Sequence, residues 1–117
     1  KIKDITGKDI TVFRPPYGSY NNTLLNVCSD LGLKAIQWDV DSLDWKGVSA
    51  AEVTDRVMQK TQNGSIILMH NNADNVCDSL RLTLDWLTKK GYKVTSVGEL
   101  IYSDNYTIDA NGEQHQN

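Results

Sequence analysis

Short apolar runs alternate with amphipathic stretches along most of the chain, and this order constrains the fold more than any single residue. Such alternation is typical of βαβ units with parallel strands. We therefore predict an α/β fold, either a small doubly wound domain or about half of a (β/α) barrel. The predicted strands are residues 11–13, 34–38, 65–69 and 92–97, and the predicted helices are 22–31, 49–64, 74–90 and a short turn at 98–101.

Helix-end signals support these boundaries. Ser49 followed by Glu52 forms a capping box at the start of the second long helix. Glycines follow the predicted helices at 32, 64 and 91, where a left-handed residue commonly ends a helix. Residues 104–117 show weak periodicity, so we expect a loop or a frayed end there. The third long helix carries an apolar stripe that we expect to be buried, made of Val76, Leu80, Leu84 and Leu87.

The composition suits one folded domain or part of one. The chain has 117 residues, of which 39% are hydrophobic, and a net charge of −3. That charge gives no electrostatic footprint for nucleic acid, and no apolar run approaches the ~20 residues of a membrane span. Cys28 and Cys77 each fall inside a predicted helix, where a small buried thiol is the more frequent role, although a disulfide stays open.

The unusual residues follow the predicted strands directly. Arg14, held by two prolines, and Tyr17 follow the first strand; three aspartates and Trp45 lie in residues 39–45 after the second; His70 follows the third. Because the carboxyl ends of parallel strands share one edge of a sheet, this placement predicts a functional site. Each residue also has an ordinary structural role open to it, as a surface arginine, helix-capping aspartates, a core aromatic or a structural histidine.

The combination has a definite chemistry. A carboxylate, from Asp41 or Asp44, can orient His70 as a proton donor. Arg14 offers a rigid fork for a further carboxylate, and the backbone N–H of Tyr17 can bind a developing oxyanion. The sequence has no nucleophile elbow and no phosphate-binding glycine loop, and its two histidines are far apart, so no metal site is predicted within it.

Three segments resemble motifs of a known family. "RPPYG", "DSLDW" and "ILMH" are similar to the third, fourth and fifth motifs of the NodB-homology polysaccharide deacetylases, carbohydrate esterase family 4. The resemblance extends over residues 1–102, leaving 103–117 as a C-terminal tail. It implies a distorted (β/α) barrel with parallel strands, of which this chain would be the C-terminal half.

The resemblance also implies residue roles and a reaction, the metal-dependent removal of acetyl groups from polysaccharide. Arg14 would hold a catalytic-base aspartate, Tyr17 would help bind the oxyanion, and Asp44 would keep His70 protonated as the general acid. The implied catalytic residues are Arg14, Tyr17, Asp44 and His70, and the implied substrate-binding residues are Tyr17, Asp41, Trp45 and Leu68.

The first two family motifs, which carry the base and the metal ligands, do not occur in this sequence. We therefore expect a divalent metal, zinc first with cobalt or nickel as alternatives, to be bound by a missing N-terminal half. The expected partner is that half, as a separate or cleaved chain, or a second copy; alone, this chain would be inactive. The expected substrate is an N-acetylglucosamine polymer, peptidoglycan or chitin-like, outside the cell or at the wall. The alternatives are acetylxylan as substrate, or a non-catalytic carbohydrate-binding or assembly fragment.

Overall fold

The computed structural model describes all 117 residues, which fall into two compact units. The first unit combines residues 1–37 and 101–117, and the second contains residues 38–100. No helix in either unit has both the length and the apolar composition required to cross a membrane. The helices are α1 (Ile2–Thr6), α2 (Asn22–Asp30), α3 (Ala50–Lys60), α4 (Val76–Lys89) and α5 (Val97–Leu100), and the strands are β1 (Val12–Phe13), β2 (Lys34–Ala35), β3 (Val40–Asp41), β4 (Ile67–Leu68), β5 (Tyr106–Ile108) and β6 (Gln114–Gln116).

In the first unit, β1 and β2 pair in parallel around α2, as the sequence predicts. Asn21 caps α2 by accepting a hydrogen bond from the Leu24 N–H at 2.9 Å. The helix ends at Asp30, and Gly32 takes the left-handed conformation at φ 67°. The predicted strand 34–38 is shorter than expected, because its ladder with β1 covers only Lys34–Ala35.

The tail of the first unit is ordered, so the expectation of a loop or frayed end was wrong. β5 and β6 form an antiparallel hairpin. Lys34 fixes the base of the hairpin, because its ammonium donates to the carbonyls of Tyr102 and Ser103. The same ammonium lies 4.9 Å from the centre of the Tyr106 ring. These contacts come from β2, far away in sequence, which is why local periodicity did not reveal them.

In the second unit, β3 and β4 pair in parallel, with Val40 opposite Ile67 and Asp41 opposite Leu68. β3 lies in a segment expected to be loop. The Ser49–Glu52 capping box is present as predicted, although α3 ends at Lys60 rather than at Gly64. The buried apolar residues of the unit come from both strands and both long helices, namely Val40, Val53, Val57, Leu68 and Leu87.

The prediction of a buried apolar stripe on α4 was partly wrong. Leu87 is buried, but Leu80 and Leu84 are 43% and 38% exposed. Ser79 and Thr83, one residue before each leucine, are the buried residues of that face. A one-residue shift turns a helix by about 100°, so small polar residues can occupy the inward face while leucines point outward.

The predicted strand 92–97 is also absent. Residues 92–96 have no regular structure, and Val97 already begins α5. A strand requires a neighbour that completes its ladder, and the only partner of β4 is β3. The β-branched composition of the segment is therefore not enough to make it a strand here.

Candidate active site

The register of β3 and β4 sets the geometry of the candidate site in the second unit. Asp41 lies opposite Leu68, so the three residues after Asp41 and the two after Leu68 leave the same edge of the pair. The chain after β3 turns sharply into a short 3₁₀ segment that begins at Asp44. This turn and the end of the β4 segment bring Asp44 to His70.

Asp44 contacts His70 through both carboxylate oxygens. Oδ2 accepts the backbone N–H of His70 at 2.7 Å, and Oδ1 lies 2.7 Å from the ring Nδ1. An ionised carboxylate only accepts hydrogen bonds, so Nδ1 carries a hydrogen and Nε2 is the nitrogen left to face other groups. The carboxylate is 1% exposed whereas the imidazole is 32% exposed, so the pair is buried on the acid side and accessible on the ring side.

The environment of Asp44 favours its charged form. Burial raises the pKa of its carboxyl, but the hydrogen bonds from the His70 N–H, the His70 ring and the Ser42 hydroxyl outweigh burial and lower the pKa below its ordinary value. Asp44 is therefore a carboxylate near neutral pH, as an orienting partner for a histidine must be.

The three aspartates of residues 39–45 have separate partners. Asp39 accepts hydrogen bonds from the Ser65 hydroxyl and the Ile66 N–H, at 2.7 and 2.6 Å, ahead of β4. Asp41 Oδ1 accepts the N–H of Leu43 at 3.0 Å. Residue chemistry alone left Asp41 and Asp44 open, the family resemblance implied Asp44, and Asp44 is the residue that pairs with His70.

Two residues that the sequence interpretation missed support this turn. Ser42 is fully buried, and its hydroxyl lies 3.4 Å from the N–H of Asp44. Arg56 of α3 donates its Nε–H to the Asp41 carbonyl at 3.0 Å. Ser42 lies inside the quoted "DSLDW" motif, so its position was the available signal; nothing local pointed to Arg56.

The predicted pocket residues differ in exposure. Leu68 is 7% exposed and belongs to the core of the second unit. Trp45 is 58% exposed, so it is not an ordinary core aromatic, and the Lys46 ammonium lies 5.4 Å from its ring centre. An exposed indole next to a carboxylate–imidazole pair offers an apolar face to a ligand.

Arg14 and Tyr17 belong to the first unit. Arg14 is exposed and forms none of the ion pairs of the chain, while the adjacent Pro15 is buried. Tyr17 is fully exposed and has a positive φ of 59°, which is uncommon for a residue other than glycine. The turn is closed by the Gly18 N–H to the Pro15 carbonyl at 3.0 Å and by the Gln37 amide to the Gly18 carbonyl at 3.1 Å.

The residues of the Asp44–His70 site do not fit a metal centre. Two potential ligands converge there, one of them a ring whose Nδ1 is already paired, whereas a zinc site takes three or four protein donors. Elsewhere, Asp109, Glu113 and His115 lie close together in the β5–β6 hairpin, but all three are exposed. Asp109 is held by the turn itself, since it accepts the Glu113 N–H at 3.0 Å and lies 3.3 Å from the His115 ring nitrogen. These hydrogen bonds, the Glu113 N–H first, lower the pKa of the Asp109 carboxyl.

Both cysteines are free thiols. Cys28 is buried in α2, as expected for a small apolar residue. Cys77 is exposed at the start of α4, so the expectation of burial was wrong for this residue.

Each unit contains one parallel strand pair, and the carboxylate–imidazole pair follows the strands of the second unit. This α/β pattern is that of part of a (β/α) barrel domain. The sequence profile described as polysaccharide deacetylase matches residues 1–36. The chain is 40% identical over 99 residues to the peptidoglycan-N-acetylglucosamine deacetylase PgdA of Listeria monocytogenes. The match covers 85% of this chain and 21% of that protein. It is 49% identical over 63 residues to a bifunctional xylanase/xylan deacetylase of Cellvibrio japonicus, covering 54% of this chain and 9% of that protein.

Among solved structures, BA3943 of Bacillus anthracis, described as a pseudoenzyme of carbohydrate esterase family 4, superposes with a TM-score of 0.80 at 32% identity. The match covers 85% of this chain and 35% of that one. The chain belongs to the polysaccharide deacetylases of carbohydrate esterase family 4. It spans about a fifth of the length of the Listeria relative.

Proposed function

We propose that this chain supplies the general-acid part of a polysaccharide deacetylase site. The observation that carries the proposal is the Asp44–His70 pair, in which a buried carboxylate holds an imidazole through Nδ1 and leaves Nε2 on the accessible side. A histidine in that arrangement is oriented to give a proton from Nε2 to a group that approaches from solvent.

The proposed step balances as follows for an N-acetyl substrate. Water gives one proton to a base outside this chain and its hydroxyl adds to the acetyl carbon. The C–N bond then breaks, and the departing nitrogen takes the Nε2 proton of His70, which enters the step as an imidazolium with hydrogens on both ring nitrogens. Asp44 remains a carboxylate throughout, because its pKa is low, and keeps its hydrogen bond to Nδ1 before and after the transfer. The products are acetate and a free amine on the sugar.

The roles of the other site residues rest on the family resemblance. We propose that the exposed guanidinium of Arg14 binds a carboxylate outside this chain, and that the N–H of Tyr17 stabilises the oxyanion. Trp45 and Leu68 would contact the acetyl group, and the exposure of Trp45 supports this for the indole. A substrate contact of Asp41 stays a prediction, and its carboxylate already binds the Leu43 N–H.

The whole activity requires parts that this chain does not provide. Enzymes of this family generally depend on a metal ion, and the donor set at the Asp44–His70 site does not fit one. We propose that the N-terminal half of the domain, as a separate or cleaved chain, binds a divalent metal, with zinc expected first. A second copy of this chain is the alternative partner. The boundary between domain and tail at residue 102 is part of the same proposal.

The proposed substrate is an N-acetylglucosamine polymer of the peptidoglycan or chitin type, with action at the cell wall or outside the cell. The 40% identity to a Listeria peptidoglycan-N-acetylglucosamine deacetylase supports this choice. Acetylxylan is the alternative, supported by the shorter match to the Cellvibrio xylan deacetylase.

A non-catalytic carbohydrate-binding role is the second candidate. The likeness to BA3943, a protein described as a pseudoenzyme, favours it. Exposed Trp45 and Tyr17 could stack on sugar rings without any chemistry. The retained Asp44–His70 pair favours the catalytic proposal, because sugar binding requires no proton donor.

The deciding experiment measures acetate released from N-acetylated chitooligosaccharide and from peptidoglycan. The protein is this chain together with the first half of the domain, supplied with zinc. We expect His70→Asn to lower kcat by about 10²- to 10⁴-fold. His115→Asn, which changes the second histidine of the chain in the exposed hairpin, should leave kcat unchanged. Glycan binding with no acetate release by the unsubstituted protein would support the non-catalytic role instead.

A further inference from the structure

The turn that presents Asp44 to His70 has an unfavourable backbone conformation. Leu43 lies in the left-handed region at φ 54° and ψ 26°. Residues with a Cβ rarely take this conformation, and leucine has no side-chain group that would compensate by bonding the local backbone. Some other contact must therefore keep the chain turned at this point.

Asp41 provides that contact. Its Oδ1 accepts the N–H of Leu43 at 3.0 Å, which closes an Asx turn between an aspartate side chain and the backbone two residues later. Ser42 repeats the pattern one residue later, with its hydroxyl 3.4 Å from the Asp44 N–H. Two consecutive N–H groups are thus held by side chains two residues earlier in the sequence.

The base of this turn is fixed at Asp41 itself. Its backbone lies in β3 opposite Leu68, and its carbonyl accepts the Nε–H of Arg56 at 3.0 Å. The Ser42 N–H continues the ladder by donating to the Leu68 carbonyl at 3.3 Å. A side chain that acts from such a fixed backbone can define the path of the next three residues.

We propose that Asp41 is a positioning residue: its carboxylate holds the left-handed turn at Leu43 that presents Asp44 to His70. The functional importance of this role rests on the proposed general-acid function of His70. The structural part, that Asp41 controls the Asp44–His70 pairing, does not depend on turnover and can be measured without it.

The test uses two NMR signals of the full chain that report the pairing directly. These are the hydrogen–deuterium exchange rate of the His70 amide, whose N–H donates to Asp44 Oδ2, and the downfield proton of the His70 Nδ1–H. The exchange rate of the amide of Leu87, a buried residue in the last turn of α4, is measured alongside as an indicator of global unfolding.

We expect Asp41→Ala to speed exchange of the His70 amide by about tenfold relative to the Leu87 amide and to broaden or remove the Nδ1–H signal. Asp41→Asn keeps an oxygen acceptor, so both signals should stay as in the unsubstituted chain. Asp85→Ala, at an exposed aspartate of α4 without a hydrogen-bond partner, is the matched control and should change neither.

A second substitution tests the mechanism. Leu43→Gly removes the penalty of the left-handed conformation, so Asp41→Ala/Leu43→Gly should exchange more slowly at His70 than Asp41→Ala alone. Unchanged exchange in Asp41→Ala, or a double variant no better than the single one, would overturn the proposal. If Asp41→Ala does not fold, recovery of both signals in the double variant supports the proposal, and an unfolded double variant refutes it.

The test of the positioning role and the test of the proposed catalytic function can fail independently. Loss of the two signals in Asp41→Ala with no deacetylation by any form would retain the positioning role and reject the catalytic one. Normal signals in Asp41→Ala with active deacetylation would do the reverse.

Discussion

The carboxylate of Asp44 accepts two hydrogen bonds from one residue, His70, each at 2.7 Å. One comes from the backbone N–H and the other from the imidazole ring. This double contact fixes the ring relative to its own backbone, so the position of Nε2 depends on Asp44 as much as on the His70 rotamer. It also connects the turn after β3 to the segment after β4. The same contact therefore contributes to stability and to the proposed chemistry.

The proposed proton transfer makes a prediction about leaving groups. The His70→Asn enzyme should lose most of its activity on an N-acetyl sugar, because an amine must be protonated as it departs. It should lose far less on p-nitrophenyl acetate, whose phenolate departs without a proton. The measurement is the ratio of kcat/KM for the two substrates, in the protein carrying both halves of the domain. Equal losses on both substrates would show that His70 does not act as the proton donor.

Replacement of Asp44 by asparagine should reduce stability in a pH-dependent way. Because the pKa of Asp44 in the folded chain lies below its ordinary value, its charge stabilises the fold. This contribution is complete above the ordinary carboxyl pKa and is lost as pH falls through the lower, folded-state pKa. We expect Asp44→Asn to cost about 1–3 kcal/mol near neutral pH, as measured by urea unfolding, and the difference to narrow under acid conditions.

Asp78→Asn is the control for that measurement. Asp78 is exposed and lies 3.9 Å from Arg81 in a surface ion pair, so its replacement should change stability by less than about 1 kcal/mol at every pH. A stability difference for Asp44→Asn that stays constant across the acid range would contradict the stated origin of the effect.

The two kinds of leucine on α4 give a matched pair for stability. Leu87 is 5% exposed and Leu80 is 43% exposed, in the same helix. Leu87→Ala should lower the free energy of unfolding by about 2–5 kcal/mol, since it leaves a cavity in the core. Leu80→Ala should change it by about 0.5 kcal/mol or less in this chain. Urea denaturation of both variants tests the orientation of α4, and similar costs would mean that the helix is rotated from the described position.

The sequence alone was sufficient for features that local chemistry determines. The capping box at Ser49 and Glu52, the end of α2 before Gly32 and the parallel α/β class all follow from residue type and short-range period. The quoted motifs around Arg14, Asp44 and His70 were enough to indicate the family, because their order and residue types are specific.

The tertiary structure decided features that depend on contacts between distant residues. Residues 92–96 have strand composition but no ladder partner, and the tail became a hairpin because Lys34 from β2 binds its base. Residue chemistry alone left Asp41 and Asp44 open as the partner of His70, and the family resemblance implied Asp44. The contact itself depends on the parallel register of β3 and β4. Sequence specifies local preferences, but pairing distant segments also depends on which hydrogen-bonding groups the fold brings within reach of each other, and that is a property of the folded chain.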